Sequence, residues 1–209
     1  MSKMVLTPLE GIPMIRAGDN LVEMISKSLQ ICGLSLLEGD ILVIAQKIIS
    51  KAEGRTVNLT SVTPSAEAID LAEETQKDPR LVELILNEST EVLRCRRGLI
   101  IVEHRLGFIC ANAGIDHSNV CGEGDEQSEY VLLLPHNPDA SAEHLRKQLV
   151  DLYGKNIGVL IIDSHGRAWR EGIVGISIGI SGLPGLVDFR GVVDLFGYEM
   201  KVTQVAAAD

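Results

Sequence analysis

Hydrophobic positions change their spacing several times along the chain, and each change predicts an element. Leu21, Ile25 and Leu29 recur on one helical face behind Asn20, with Glu23 three residues on, so a core helix is expected from here. After Gly39-Asp40 the periodicity disappears. Ile41-Leu-Val-Ile-Ala45 is uninterrupted apolar sequence, the pattern of a short strand buried on both faces. It gives way to Gln46, Lys47, Ser50, Lys51, Glu53 and Gly54, which gather polar groups where the strand emerges. Thr63-Pro64 and Asp78-Pro79 each place an N-cap residue before a proline at the first helical position. Ala68, Leu71, Ala72 and then Leu81, Leu84, Ile85 follow at helical spacing, predicting two consecutive helices. From Glu91 to Ala111, short β-prone runs punctuated by Arg97-Gly98 and Leu106-Gly107 predict an antiparallel meander, with Asn112 opening the loop at its end.

In the second half, Cys121 to Glu129 is acidic and Gly-containing and reads as a surface loop. Val131 to Leu134 predicts a strand. Asn137-Pro138 starts a helix whose Ala142, Leu145, Leu149 and Leu152 form a stripe ending at Gly154. Ile157 to Ile162 predicts a further buried strand that delivers Asp163 at its mouth. Val174 to Ser181 alternates with period two, setting Val174, Ile176, Ile178 and Ile180 on one face and Gly175, Ser177, Gly179 and Ser181 on the other. A face that bare suits either a substrate channel or close packing of strands across a subunit interface. No internal repeat and no Pro- or Ser-rich linker occurs, so a single domain over 1–209 is expected, any two subdomains being interleaved.

Composition narrows the classes. Aromatic residues make up 3% of 209 positions while 45% are hydrophobic, so the core must be built from Ile, Leu, Val and Ala. The formal net charge of −10 argues against nucleic acid or an anionic membrane as the main partner. No run approaches the ~18 apolar residues of a membrane span, and the N-terminus lacks the pattern of a secretion signal, so a cytoplasmic location is expected. Cys32, Cys95, Cys110 and Cys121 are far apart and form no zinc spacing, which suits free thiols in a reducing compartment.

Two segments carry candidate chemistry: Asn112-Ala-Gly-Ile-Asp116-His-Ser-Asn119 and Ile161-Ile-Asp163-Ser164-His165-Gly-Arg167. Each sets a carboxylate beside a β-rich run, and paired carboxylates hold Mg²⁺ or Mn²⁺ for phosphate chemistry because hard cations take oxygen ligands and keep positions open for phosphate. Either aspartate alone is equally a turn former. Lys51 is either a solvated lysine or a phosphate contact, and Arg167 and Arg170 could clamp a phosphate or carboxylate on a substrate. His117 and His165, next to the acidic residues, are each a metal ligand, a proton shuttle or a bystander, with bystander ranked first. Neither a P-loop nor a dinucleotide fingerprint occurs, so any nucleotide site is of another kind.

Five blocks in fixed order carry a resemblance: Leu9-Glu10-Gly11-Ile12-Pro13, Ile44 to Arg55, Asn112 to Asn119, Asp163 to Arg167, and Gly172 to Gly182. With them the chain closely resembles the coenzyme F420:L-glutamate ligase (F420-0 gamma-glutamyl ligase) family, from about Leu6 to its last residues. The resemblance implies an α+β fold with mixed and antiparallel sheets and two entwined parts, working as an intertwined homodimer. It also implies GTP as co-substrate with Mg²⁺ or Mn²⁺, K⁺ being a further candidate ion. Carried over, it implies that Glu10, Gly11, Ile12, Pro13, Gln46, Lys47, Lys51 and Asn119 line the nucleotide. Asp116 and Asp163 would bind one divalent ion and Ser164, where the family commonly has Thr, a second.

The implied reaction activates the terminal carboxylate of the deazaflavin precursor of F420 as an acyl phosphate, which the L-glutamate amine attacks. Lys51 and Arg167 are the implied catalytic side chains, with Arg170 a further substrate contact. The resemblance also implies a C-terminal helix and a Gly- and Glu-containing loop beyond the Val202 to Asp209 region, where the sequence ends, and an acidic stretch at Cys121 to Glu129 longer than the family's. The competing expectations are a nucleotide-binding or dimerisation relative without turnover, and a related metal-dependent amide ligase for another acidic cofactor.

Overall fold

A computed structural model describes residues 3–120 and 129–209. The expected acidic loop at Cys121 to Glu129 therefore lies, except for Glu129, outside the described residues. The fold is α+β, as expected, and the chain divides into two compact units, each assembled from separate stretches: residues 1–45, 138–163 and 176–209 in the first, 46–137 and 164–175 in the second.

The first unit contains α1 (Leu21–Ile31), β1 (Ile41–Ala45), α5 (Pro138–Tyr153) and most of β7 (Gly158–Gly166) and β8 (Ile173–Ser181). The Asn20 side chain accepts the Glu23 amide at 3.2 Å and so caps α1, whose Ile25 and Leu29 are buried. β1 pairs in parallel with β7 from Ile41↔Gly158 to Ala45↔Ile162, and β8 lies on the other side of β7. Contrary to expectation, β1 is not buried on both faces: Leu42 and Ile44 turn inward, whereas Ile41 and Val43 are each 50% exposed. The run is apolar on two faces, but only one is covered.

The α5 stripe also needs one correction. Ala142, Leu145 and Leu149 are buried, but Leu152, in the last turn, is exposed. On β8, α5 covers the 179–181 end of the bare face. An added Cβ on Gly179 would lie 2.6 Å from the Pro138 carbonyl carbon, Asp139 accepts the Ile180 amide at 2.8 Å, and the Ser181 hydroxyl donates to Glu143. The glycine serves close packing of a strand on a helix of the same chain. Past β8, β9 (Leu186–Asp188) pairs antiparallel with β10 (Gln204–Ala206).

The second unit holds α2 (Gln46–Ala52), β2 (Thr56–Asn58), α3 (Ala66–Thr75), α4 (Pro79–Asn87), β3 (Ser89–Arg96), β4 (Leu99–His104), β5 (Ile109–Ala111) and β6 (Tyr130–Leu132). The meander is present as the antiparallel sheet β3-β4-β5. Every second residue of β4 points inward, and Ile100 and Val102 pack with Ala68 and Ala72 of α3 and Val82 and Ile85 of α4. Asp78 caps α4 through the Arg80 amide at 2.8 Å, with Pro79 in the first turn. The cap of α3 is Ser65, accepting the Ala68 amide at 3.2 Å, not Thr63, because Thr63 and Pro64 lie before the helix begins. β6 is one strand of an antiparallel pair with β2, and Asp116 is bridged to Leu132 in both directions, at 3.0 and 2.8 Å.

Beneath the sheet lies an ionic cluster that sequence did not foretell. Glu88, nearly buried, accepts from Arg55 at 2.8 Å and from Arg105 at 2.9 Å, and His104 Nε2 stands 3.7 Å from the same oxygen. His104 is fully buried; its Nδ1 accepts the Leu106 amide at 3.0 Å, and Phe108 stacks on its ring at a centroid distance of 5.3 Å. Burial pushes the His104 pKa down to about 4, with the Arg105 and Arg55 charges acting the same way and the Glu88 carboxylate opposing them.

Candidate active site

β1 runs without a loop into α2, and this short helix carries three of the expected site residues. Gln46 is buried at its start: its Oε1 accepts the Ser50 hydroxyl at 2.8 Å, and its Nε2 has no acceptor among the described residues. Lys47 and Lys51 stand one turn apart, on the same side of α2. Both reach the loop after β5.

That loop is delivered by an unusual backbone. Asn112, Ala113 and Gly114 have φ of 50°, 52° and 65°, a left-handed turn in which the buried Ala113 is strained. Two contacts hold it. Asn112 Oδ1 accepts the Ile100 amide at 3.1 Å, and Gly114 lies so close to Leu134 that an added Cβ would stand 2.8 Å from it. The turn delivers Asp116, whose Oδ1 accepts the Ser118 amide at 2.6 Å in an Asx turn.

Lys47 Nζ donates to Asp116 Oδ2 at 2.7 Å, to Ser118 Oγ at 2.6 Å and to the Ser118 carbonyl at 3.0 Å, so all three ammonium protons have oxygen partners. Lys51 Nζ donates to the Asn119 carbonyl at 2.7 Å. Burial works to raise the Asp116 pKa, but the hydrogen bonds from Lys47 and Ser118 outweigh it and hold the carboxyl below its ordinary range. Asp116 is an anion held between an ammonium and an amide. Ser118 was not foreseen as a site residue; the Asp-x-Ser spacing of an Asx turn was the available signal.

The remaining expected residues fall elsewhere. Asp163 and Ser164 are not past the end of a strand but inside β7, which continues to Gly166. Here the polar residues extend the ladder without a break in pairing capacity, so the apolar run understates the strand. His165 lies farther along β7 with its ring tilted against Phe108 at 5.7 Å, while His117 is exposed. Arg167 and Arg170 lie in the turn at 167–172 joining β7 to β8, and Arg167 Nη2 donates to the Glu171 carbonyl. Glu10 to Pro13 is an irregular segment docked on α1, where Ser28 Oγ donates to the Glu10 carbonyl at 2.6 Å and the Glu10 amide donates to Cys32 Sγ at 3.3 Å. Among the described residues, Cys32, Cys95 and Cys110 are in no disulfide.

Among the described residues no group of three or more His, Cys, Asp or Glu side chains forms a metal cage. The donors fit Mg²⁺ or Mn²⁺ better than zinc: single carboxylates and a serine hydroxyl suit a hard ion whose other ligands are water and phosphate oxygens. The orphaned Gln46 amide beside Lys47 likewise fits an oxygen-rich ligand such as a phosphate or a nucleobase. No described helix is long and apolar enough to cross a membrane.

Comparison with known proteins places this chain in a family of ligases. Residues 11–209 match the model of F420-0:Gamma-glutamyl ligase, and the chain belongs to that family. It is 45% identical over 204 residues to the coenzyme F420:L-glutamate ligase of Methanothermobacter thermautotrophicus, covering 98% of this chain and 79% of that protein. The protein of the same name from Methanopyrus kandleri is 46% identical over 204 residues, covering 96% and 77%. That of Archaeoglobus fulgidus is 43% identical over 202 residues, covering 97% and 76%.

Proposed function

We propose that the chain is a GTP-dependent ligase of coenzyme F420 biosynthesis that joins L-glutamate to the F420 precursor through a gamma-glutamyl amide bond. The observation that carries the reading is the grip of Lys47 and Lys51 on the Asp116 to Asn119 loop, in a chain of this family. Two ammonium groups from one helix beside an ionised carboxylate make a place where an anionic phosphate chain and a cation can meet.

In the proposed reaction, the precursor's terminal carboxylate attacks the γ-phosphorus of GTP, the β–γ bridging bond breaks, and GDP leaves with that electron pair. The glutamate amine then attacks the acyl phosphate carbon; the amide forms, inorganic phosphate departs, and the amine proton is lost to water. One divalent ion, which Asp116 and Asp163 would bind, and a second, which Ser164 would serve, would neutralise charge on the phosphates. Lys51 has two ammonium protons beyond its bond to Asn119 with which to meet a phosphoryl oxygen. Lys47 holds Asp116 ionised and oriented. Arg167 and Arg170 are assigned to a phosphate or carboxylate on the substrate, where a guanidinium fork binds two oxygens at once.

Mass spectrometry of the precursor after incubation with the chain, GTP, Mn²⁺ and L-glutamate tests this, beside an Asp163→Asn control. A gain of one glutamyl unit that the control lacks supports the ligase. Metal-dependent GTP binding without product would reduce the chain to a nucleotide-binding relative, and product only with another acidic acceptor would reassign the substrate.

A further inference from the structure

Trp169 is the sole tryptophan of the chain, and it sits at the tip of the turn between β7 and β8 with its side chain wholly in water, at 101% relative exposure. Its φ of 56° is a left-handed conformation that bulky side chains rarely adopt. No ring of a described residue packs against it. The turn is also braced: Arg167 Nη2 donates to the Glu171 carbonyl across it, and at Gly172, with φ of 83°, an added Cβ would lie 3.5 Å from that same guanidinium. Arg170, the next residue in sequence and exposed, has neither a carboxylate nor a carbonyl partner among the described residues. In a chain with a net charge of −10, an exposed flat apolar side chain is thus followed directly in sequence by an exposed arginine. Such a pair is complementary to a ligand that is both planar and anionic, since the ring face takes the aromatic system and the fork takes the negative group.

We infer that Trp169 is the stacking platform for the planar ring of the acceptor substrate, an anionic aromatic heterocycle of the deazaflavin type, with Arg170 taking a negative group on the same molecule. This rests on the ligase reading above and extends it to the part of the acceptor that does not react. Trp169 is a substrate-positioning residue: it touches the ring, five positions along the chain from Ser164, and leaves the reacting carboxylate to the groups already described. Apolar contact at this remote ring is binding energy available to hold the carboxylate in place.

Because Trp169 is the sole tryptophan, its fluorescence lifetime reads this turn alone. Titration of the intact chain with the precursor, in the presence of GTP and Mn²⁺, is expected to shorten the lifetime saturably, with a midpoint that matches equilibrium dialysis. Trp169→Ala is expected to raise the KM for the precursor about tenfold while leaving those for GTP and glutamate unchanged, and Trp169→Phe to recover most of the loss. Precursor that binds and is glutamylated while the lifetime stays constant and Trp169→Ala keeps its KM overturns this inference and leaves the ligase reading standing. A lifetime that follows protein concentration and ignores precursor overturns it in favour of a contact between two copies. No precursor binding by dialysis removes both readings.

Discussion

Lys47 and Asp116, separated by most of the second unit's sequence, meet at 2.7 Å, and the ammonium that neutralises the carboxylate also fixes the Ser118 turn that follows it. The pair is partly exposed, so it contributes little to global stability, about 1 kcal/mol or less. Its larger effect is on the ionisation and aim of Asp116. Lys47→Met should therefore lower kcat/KM for glutamyl transfer by about 10²-fold while shifting the unfolding free energy by no more than about 1 kcal/mol. Steady-state kinetics beside urea denaturation separates the two, and unchanged turnover would leave Lys47 with a purely structural role.

The buried His104 makes stability depend on pH. Its pKa is about 4 in the folded chain against an ordinary value of 6.5, so between these limits the unfolded chain holds the extra proton and folding is opposed. The groups facing it are Glu88, Arg105 and Arg55. Stability should be fully present above pH 6.5 and fall by about 3 kcal/mol as the pH drops to 4. His104→Asn keeps an acceptor for the Leu106 amide; it should start less stable but show a shallower slope by denaturant titration across that range.

Glu88 holds two guanidinium groups and is itself nearly buried. Removing one partner of such a cluster leaves charges without compensation, so Glu88→Ala should destabilise by about 3 kcal/mol or more and Glu88→Gln by less. Thermal and chemical unfolding would report this, and a loss below about 1 kcal/mol would mean that water has replaced the carboxylate.

Gly179 packs on the Pro138 backbone at a distance no side chain can enter. Gly179→Ala should cost about 1–3 kcal/mol by forcing β8 and α5 apart. Were this face a substrate channel instead, the variant would raise KM and leave the unfolding midpoint where it was.

These outcomes mark what the residue pattern could and could not tell. Asn20, Asp78-Pro79 and the α5 stripe were readable because a cap and a periodic face are local matters. Thr63 misled because Ser65, two residues on, offers the same hydroxyl chemistry closer to the helix. α2 was missed because it follows β1 with no turn residue between them and is too short to show a period. Among site residues, Asp116, Lys47, Lys51 and Asn119 were each named from the sequence and do come together. The Glu88–Arg55–Arg105–His104 cluster was invisible, since its members come from three separate stretches, at 55, 88 and 104–105, whose meeting depends on the packed sheet.

The crossings between the two units lie between Ala45 and Gln46, Asn137 and Pro138, Asp163 and Ser164, and Gly175 and Ile176. The first falls where a strand becomes a helix, the second at the first residue of α5, and the last two within β7 and β8. A protease needs a slack, extended segment to enter, and a gene fragment needs continuous sequence to encode a foldable piece. Neither unit is encoded by one uninterrupted stretch, and a cut at either of the last two crossings would fall inside β7 or β8.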